Sequence, residues 1–185
     1  MRVTDKHVFF YSYKDMFSNH FKSSVPFFLP RHERDGVKFY TGEHMMMYEK
    51  AMLFDDKWCA KLILAVHRPQ EAKMLGRSVK GFTDKVWEES RESIVESICY
   101  CRLVFDFDLR ETAIRHRLAG RNFVEASSRD KIWGIGMDEN HPMIHEEGNW
   151  LGLNLLGKAW DRATDALIDK CGGYERVRGD FADQA

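Results

Sequence analysis

The longest helical pattern in the chain follows Thr83 and sets the scale of the fold. Thr83 is a suitable N-cap, and Phe82 and Trp87 occupy the two positions of a hydrophobic staple. Apolar residues continue on one face of this segment as far as Phe105, through Ile94, Val95 and Ile98. A helix of this length must cover its apolar face with other elements. We therefore expect it to be the central element of the domain.

Five shorter helices are predicted on either side of it. Thr41 and the pair Asp55-Asp56 are start signals, whereas Gly76 and Gly120 are stop signals. The second of these helices carries an apolar side made of Trp58, Leu62 and Val66. The five segments are 43–54, 57–66, 69–76, 108–119 and 153–171.

Short strands are predicted where aromatic and β-branched residues alternate with turn formers. They lie within 8–38, at 123–126 and at 132–136. The fold class is therefore mainly α with a few short β-strands (α+β). A chain of 185 residues suits one compact domain, which we place at 1–171 and follow with a polar C-terminal tail at 172–185.

Composition excludes several classes of function. The 28 basic and 29 acidic residues nearly balance, which argues against a broad cationic surface for duplex nucleic acid. No apolar run approaches the roughly 20 residues that span a bilayer, so no membrane association is expected. The start of the chain lacks the pattern of a signal peptide, and the four cysteines form no C-x-x-C pair. We expect a cytoplasmic protein.

His141 and His145 are the candidate metal ligands, because imidazoles four residues apart on a helix can bind zinc. Pro142 argues against a helix there, so we interpret residues 137–149 as a surface insert. No metal and no cofactor are predicted.

The run from Glu125 to Gly136 has the composition of a site rather than of a core. It sets Asp130 and Trp133 beside Gly134 and Gly136, and the glycines can admit a ligand to the backbone. The alternatives are an Asx-turn for the aspartate and ordinary burial for the tryptophan.

Polar residues elsewhere are candidates with simple alternatives. Glu43 in a first helical turn can stay ionised and stabilise a cation, or can merely complement the helix dipole, and His44 beside it is most simply a packing residue. The other candidates are Arg77 and Lys80 as a phosphate-binding or a solvated pair, Asn154 and Lys158 one helical turn apart, and Asn19 as a ligand-binding or a turn residue.

Five ordered segments together resemble the YbiA-like (NADAR) N-glycosidases. They are Phe17–Asn19, Thr41–His44, Ala72–Phe82, Glu125–Gly136 and Trp150–Lys158, and the resemblance covers roughly 17–167. It implies a mainly helical fold and hydrolysis of the bond between ribose and a base or amine. The implied substrates are small ribosylated molecules, such as ribosylamine pyrimidine intermediates of riboflavin synthesis, or ADP-ribosylated nucleobases.

The resemblance also implies roles for individual residues. Catalysis falls to Glu43, Asp130 and Trp87, with one carboxylate acting on C1 or on water and the other on ribose hydroxyls. The implied substrate-binding residues are Phe17, Ser18, Asn19, Arg77, Lys80, Trp133, Gly134, Asn154 and Lys158. The chain departs from the family pattern at His20, at 45–47 and in the insert 137–149. The rival readings are a module that binds ADP-ribose or a nucleotide without cleaving it, and a structural protein.

Overall fold

The computed structural model describes residues 1–182, which contain three short strands and eight α-helices. The strands are β1 (Arg2–Val3), β2 (His7–Phe10) and β3 (Asn122–Glu125). The helices are α1 (Pro30–Glu33), α2 (Gly42–Leu53), α3 (Lys57–Ala65), α4 (Pro69–Arg77), α5 (Asp84–Phe105), α6 (Phe107–Leu118), α7 (Leu155–Lys170) and α8 (Tyr174–Ala182). This content confirms the predicted fold class, and α5 is the predicted long helix.

The chain forms two compact units. The central unit comprises residues 12–101, and the terminal unit comprises residues 1–11 together with residue 102 onward. Helix α5 begins in the former and ends in the latter. Within residues 1–182, no helix combines the length and the apolar character that crossing a membrane requires.

Helices α2, α3 and α4 pack against one another in the central unit. Gly76 lets α4 approach α2 closely, since a Cβ there would lie 2.0 Å from the Met47 sulfur. Helix α3 buries Cys59 and Ile63, whereas Trp58 is 67% exposed. The predicted apolar side of α3 is therefore wrong. Helix α3 packs on α2 and α4 through Cys59, Ala60 and Ile63, which leaves Trp58 on the outer side.

A buried carboxylate fixes α1 to α2 in the same unit. The Glu49 carboxylate lies 2.6 Å from Nε2 of His32 and pairs with the guanidinium of Arg31. Nδ1 of His32 accepts from the Leu29 amide, so Nε2 carries the proton that Glu49 accepts. Burial alone would raise the pKa of Glu49, but the hydrogen bonds from His32 and Arg31 outweigh it and hold that pKa below its usual value.

The sheet of the terminal unit has β2 at its centre, antiparallel to β1 and parallel to β3. All four residues of β2 are buried, as expected of a central strand. The insert 137–149 contributes Met137 and Ile144 to the core beside the sheet, and the Trp150 indole donates to the Ile144 carbonyl at 2.8 Å. The insert was expected to be a surface loop, but part of it is core.

Helix α8 lies within the stretch that the sequence suggested only as a polar tail. Asp165 of α7 accepts two bonds of 2.8 Å from the Arg117 guanidinium of α6. The Tyr174 hydroxyl at the start of α8 donates to the same carboxylate at 2.5 Å. Val177 of α8 is 3% exposed. Charge and one buried side chain thus order a segment whose own pattern is weak.

The strand predicted at 132–136 is wrong, because this segment has no regular structure. Each carbonyl from residue 131 to residue 135 accepts a hydrogen bond from an amide of residues 151–156. In a strand, successive carbonyls point to opposite sides. Here all five carbonyls accept hydrogen bonds from one neighbouring segment, so the backbone of 131–135 must bend.

Candidate functional site

The first turn of α2 carries the predicted catalytic carboxylate, Glu43. Thr41 caps the helix, since its Oγ1 accepts from the His44 amide at 3.2 Å. Glu43 is 2% exposed. Its Oε2 lies 3.6 Å from Nε2 of His20, and its Oε1 has no hydrogen-bond partner among the described residues. The residue lies at the helix N-terminus, where the exposed backbone amides create a positive electrostatic potential.

Asn19 lies directly against this helix start. Its carbonyl accepts from the Glu43 amide at 2.9 Å, and a Cβ at Gly42 would lie 2.4 Å from Asn19 Oδ1. The side-chain Nδ2 contacts the Met46 sulfur at 4.0 Å, while Oδ1 is buried and has no partner within residues 1–182. The structure therefore brings two predicted site residues together, each with an acceptor oxygen that a donor group of a ligand can use.

The residues beside Asn19 and Glu43 make contacts within the protein, and the assignment of Phe17 and Ser18 to substrate binding stays a prediction. Phe17 is fully buried, and the Ser18 hydroxyl accepts from the His20 amide at 3.1 Å. His44 Nε2 donates to the Val66 carbonyl at 3.2 Å, so its Nδ1, 2.7 Å from Thr41 Oγ1, is the acceptor. Burial lowers the pKa of His44. This geometry fits the interpretation of His44 as a neutral packing residue.

Lys50 is a buried cation on α2 that the sequence analysis missed. Its Nζ donates to the Gly76 carbonyl at 2.8 Å and lies 4.1 Å from the Phe82 ring centroid and 5.5 Å from that of Trp87. Burial lowers the pKa of Lys50, and the positive charge of Arg77 acts in the same direction. Trp87, which is predicted to be catalytic and is partly buried, lies at the start of α5 with its ring facing Lys50 of α2.

The loop that joins α4 to α5 holds the predicted phosphate-binding pair. The Lys80 amide donates to Asp56 at 2.9 Å, and the Phe82 ring packs on Phe54 at 5.3 Å. The side chains of Arg77 and Lys80 are exposed. The loop is therefore anchored through its backbone and an aromatic ring, and both cationic side chains are left for solvent or for an anion.

Two separate clusters thus lie along α2. Lys50 follows Glu43 by seven residues, which places them on the same side of the helix about 10 Å apart. Asn19 and His20 belong to the Glu43 end, whereas Trp87 belongs to the Lys50 end. The spacing from Glu43 to Lys50 was the available sequence signal for the missed lysine.

In the terminal unit, Asp130 forms the Asx-turn that was the simpler of its two readings. Its Oδ1 accepts from the amides of Ile132 at 2.9 Å and Trp133 at 2.8 Å. Its other carboxylate oxygen makes no recorded contact within the described chain, and the residue is partly exposed. Asp130 therefore shapes the loop with one oxygen and keeps the other for a ligand.

The absence of a side chain at Gly134 lets other backbone segments of the same protein approach this loop closely. A Cβ at Gly134 would lie 2.8 Å from the Glu125 carbonyl oxygen and 3.0 Å from that of Asp130. The first amides of α7 donate to the carbonyls of Ile132 and Trp133, both at 3.1 Å. The helix start is thereby satisfied within the chain. The assignment of Trp133, which is partly buried, and of Gly134 to substrate binding stays a prediction.

Asn154 joins α7 to the sheet. Its Oδ1 accepts from the Glu125 amide and its Nδ2 donates to the Phe123 carbonyl, both at 3.0 Å. It is buried and has the left-handed backbone conformation that asparagine tolerates, with φ of 52°. Lys158, in the next turn of α7, is exposed. The Asn154 amide is thus occupied by the backbone of β3, whereas Lys158 is available.

The NADAR domain model matches residues 9–168 of this chain. The chain belongs to the NADAR family. It is 34% identical over 169 residues to the Caenorhabditis elegans protein irg-1, covering 86% of this chain and 79% of that protein. It is 32% identical over 161 residues to N-glycosidase R617 of Acanthamoeba polyphaga mimivirus, covering 84% and 92% respectively. The family predicted from five ordered segments is thereby confirmed.

Proposed function

We propose that this NADAR protein hydrolyses the N-glycosidic bond between ribose and a base or amine. The observation that carries the proposal is the Glu43 carboxylate, buried at the start of α2 with Oε1 unpartnered among the described residues. A relative named N-glycosidase supports the same reaction class. A buried carboxylate held ready for a cation is the group that departure of a base from ribose requires.

Cleavage of an N-ribosyl bond develops positive charge at C1 and on the ring oxygen of the sugar. In our proposal the Glu43 carboxylate stabilises this charge or accepts a proton from the attacking water. Within the central unit, Trp87 holds the leaving base, and Asn19, Arg77 and Lys80 bind the polar remainder of the substrate. The roles that the family resemblance implies for Asp130, Trp133 and Lys158 in the terminal unit stay separate predictions.

The substrate belongs to one of two groups in this proposal, a small ribosylamine phosphate or a nucleobase that carries ADP-ribose. The exposed cations Arg77 and Lys80 of the central unit support a substrate with phosphate groups, because arginine forks and lysine ammonium groups both bind phosphate. We also propose a cytoplasmic location, since all four cysteines are free thiols.

Chromatography of released base tests the proposal. Purified protein is incubated separately with NAD, with ADP-ribosylated nucleic acid and with a phosphoribosylamino-pyrimidine. We expect release from at least one, and a loss of about 10²-fold or more in the Glu43→Gln variant, as for removal of a preorganised charge. Glu89→Gln, an exposed glutamate on α5, is the matched control. Release at the normal rate by Glu43→Gln would refute the role of Glu43.

The binding-module reading gives a different result in the same assay. Calorimetry would then show ADP-ribose bound by the wild-type protein, and no base would appear from any of the three substrates. Thermal unfolding of each variant verifies that a loss of activity is not a loss of fold.

A further inference from the structure

Among the described residues, the His20 imidazole contacts the Glu43 carboxylate. The two groups approach to 3.6 Å, from Nε2 of the imidazole to Oε2 of the carboxylate. His20 is also one of the positions at which the chain was expected to depart from the family pattern. A feature of this chain therefore touches the residue on which the proposed chemistry depends.

The backbone holds His20 in place on both sides of the contact. Its amide donates to the Ser18 hydroxyl at 3.1 Å, and the preceding carbonyl, that of Asn19, accepts from the Glu43 amide at 2.9 Å. The turn and the first turn of α2 are thus joined directly. The imidazole is 26% exposed and the carboxylate 3% exposed, so His20 reaches water where Glu43 does not.

The contact leaves the two oxygens of Glu43 in different situations. Oε2 faces a ring nitrogen that can donate, while Oε1 has no partner within residues 1–182. A separation of 3.6 Å is slightly long for a hydrogen bond, and such contacts in ligand-free sites commonly tighten when substrate binds. A donor on one oxygen fixes the rotation of the carboxylate and directs the other oxygen toward the ligand.

We propose that His20 is a positioning residue for Glu43, whose Nε2–H donates to Oε2 and so presents Oε1 to the reacting sugar or to water. The inference rests on the proposed function. It gives His20 no contact with the substrate, and it requires the hydrogen-bond donor of the imidazole rather than its charge.

Two substitutions at His20 separate the effect of its hydrogen-bond donor from the effect of the size of its ring. His20→Phe keeps an aromatic ring and removes the donor, and we expect kcat for base release to fall about tenfold while KM stays within about twofold. His20→Gln supplies an amide N–H near the position of Nε2 and should recover kcat to within about threefold of wild type. His67→Phe, at an exposed histidine, is the control.

Three kinetic outcomes would overturn the proposal. Normal kcat in His20→Phe would show that the donor is dispensable. An effect confined to KM would indicate contact with the substrate. An equal loss in His20→Phe and His20→Gln would mean that the imidazole carries a proton rather than orienting the carboxylate.

A double-mutant cycle tests the contact without substrate. Urea unfolding is measured for wild type, His20→Phe, Glu43→Gln and the double variant. The 3.6 Å contact of the free protein is weaker than a hydrogen bond, so if His20 lies against Glu43 the two effects on the unfolding equilibrium constant are non-additive by about threefold. Additive effects overturn the contact. If no protein releases base from any substrate, the proposed function fails, and the cycle still decides whether His20 holds Glu43.

Discussion

Replacing Asn154 separates a structural from a ligand-binding role for one of the predicted site residues. Its amide makes two buried hydrogen bonds of 3.0 Å to the backbone of β3, with the Glu125 amide and the Phe123 carbonyl. Asn154→Ala leaves both backbone groups unsatisfied, which together costs about 3 kcal/mol. Alanine in the left-handed conformation, at φ of 52°, costs about 1 kcal/mol more.

Urea unfolding followed by circular dichroism measures these terms. We expect the free energy of unfolding to fall by about 4 kcal/mol in Asn154→Ala and about 3 kcal/mol in Asn154→Gly, because glycine adopts the left-handed conformation freely. Asn140→Ala, an exposed asparagine of the insert, is the control and should change little.

A free energy of unfolding for Asn154→Ala within about 0.5 kcal/mol of that control would refute the structural reasoning. If that stable variant also showed a raised KM in the base-release assay, the amide would be a substrate ligand, as the family resemblance implies.

Two further predictions concern packing and charge. Because hydrogen bonds hold the pKa of Glu49 below its ordinary value of 4.5, its stabilisation is present above that pH and is lost as the pH falls through the lowered value. Glu49→Gln should lose about 2 kcal/mol of unfolding free energy at pH 7 and progressively less toward pH 3, and a pH-independent difference would contradict this account. Gly157→Ala should cost about 3 kcal/mol, because its Cβ would lie 2.1 Å from the Phe123 carbonyl oxygen. Gly179→Ala on α8 meets no atom within 4 Å and should be neutral or slightly stabilising, so equal losses in the two glycine variants would refute the packing argument.

Local signals in the sequence were sufficient for six of the eight described α-helices, all but α1 and α8. Thr41 and Asp56 cap α2 and α3 as their positions suggested, because a capping side chain satisfies amides only two or three residues away. Gly76 and Gly120 lie close to the ends of α4 and α6. The position of Glu43 at a helix start also followed from its place after the Thr41 cap, whereas its burial did not.

Long-range contacts decided the features that the sequence left open or misassigned. Trp58 is exposed because α3 packs on α2 and α4 through the opposite side, with Cys59 and Ile63 buried. The loop at 132–136 is irregular because its carbonyls serve a segment some twenty residues away. Lys50 resembles any helical lysine until its contacts with Gly76 and Trp87 are known.

The sequence by itself determined the family, six of the eight described α-helices and the candidate residues, because caps, periodicity and motif order are encoded over short distances. The tertiary structure alone decided how each candidate is used. The Asn154 amide hydrogen-bonds to β3, and one oxygen of Asp130 accepts hydrogen bonds within its own turn. One carboxylate oxygen of Glu43 has no partner within the described residues, and the other lies against His20. Hydrogen-bond partners distant in the chain cannot be read from spacing, and they distinguish a structural polar group from a reactive one.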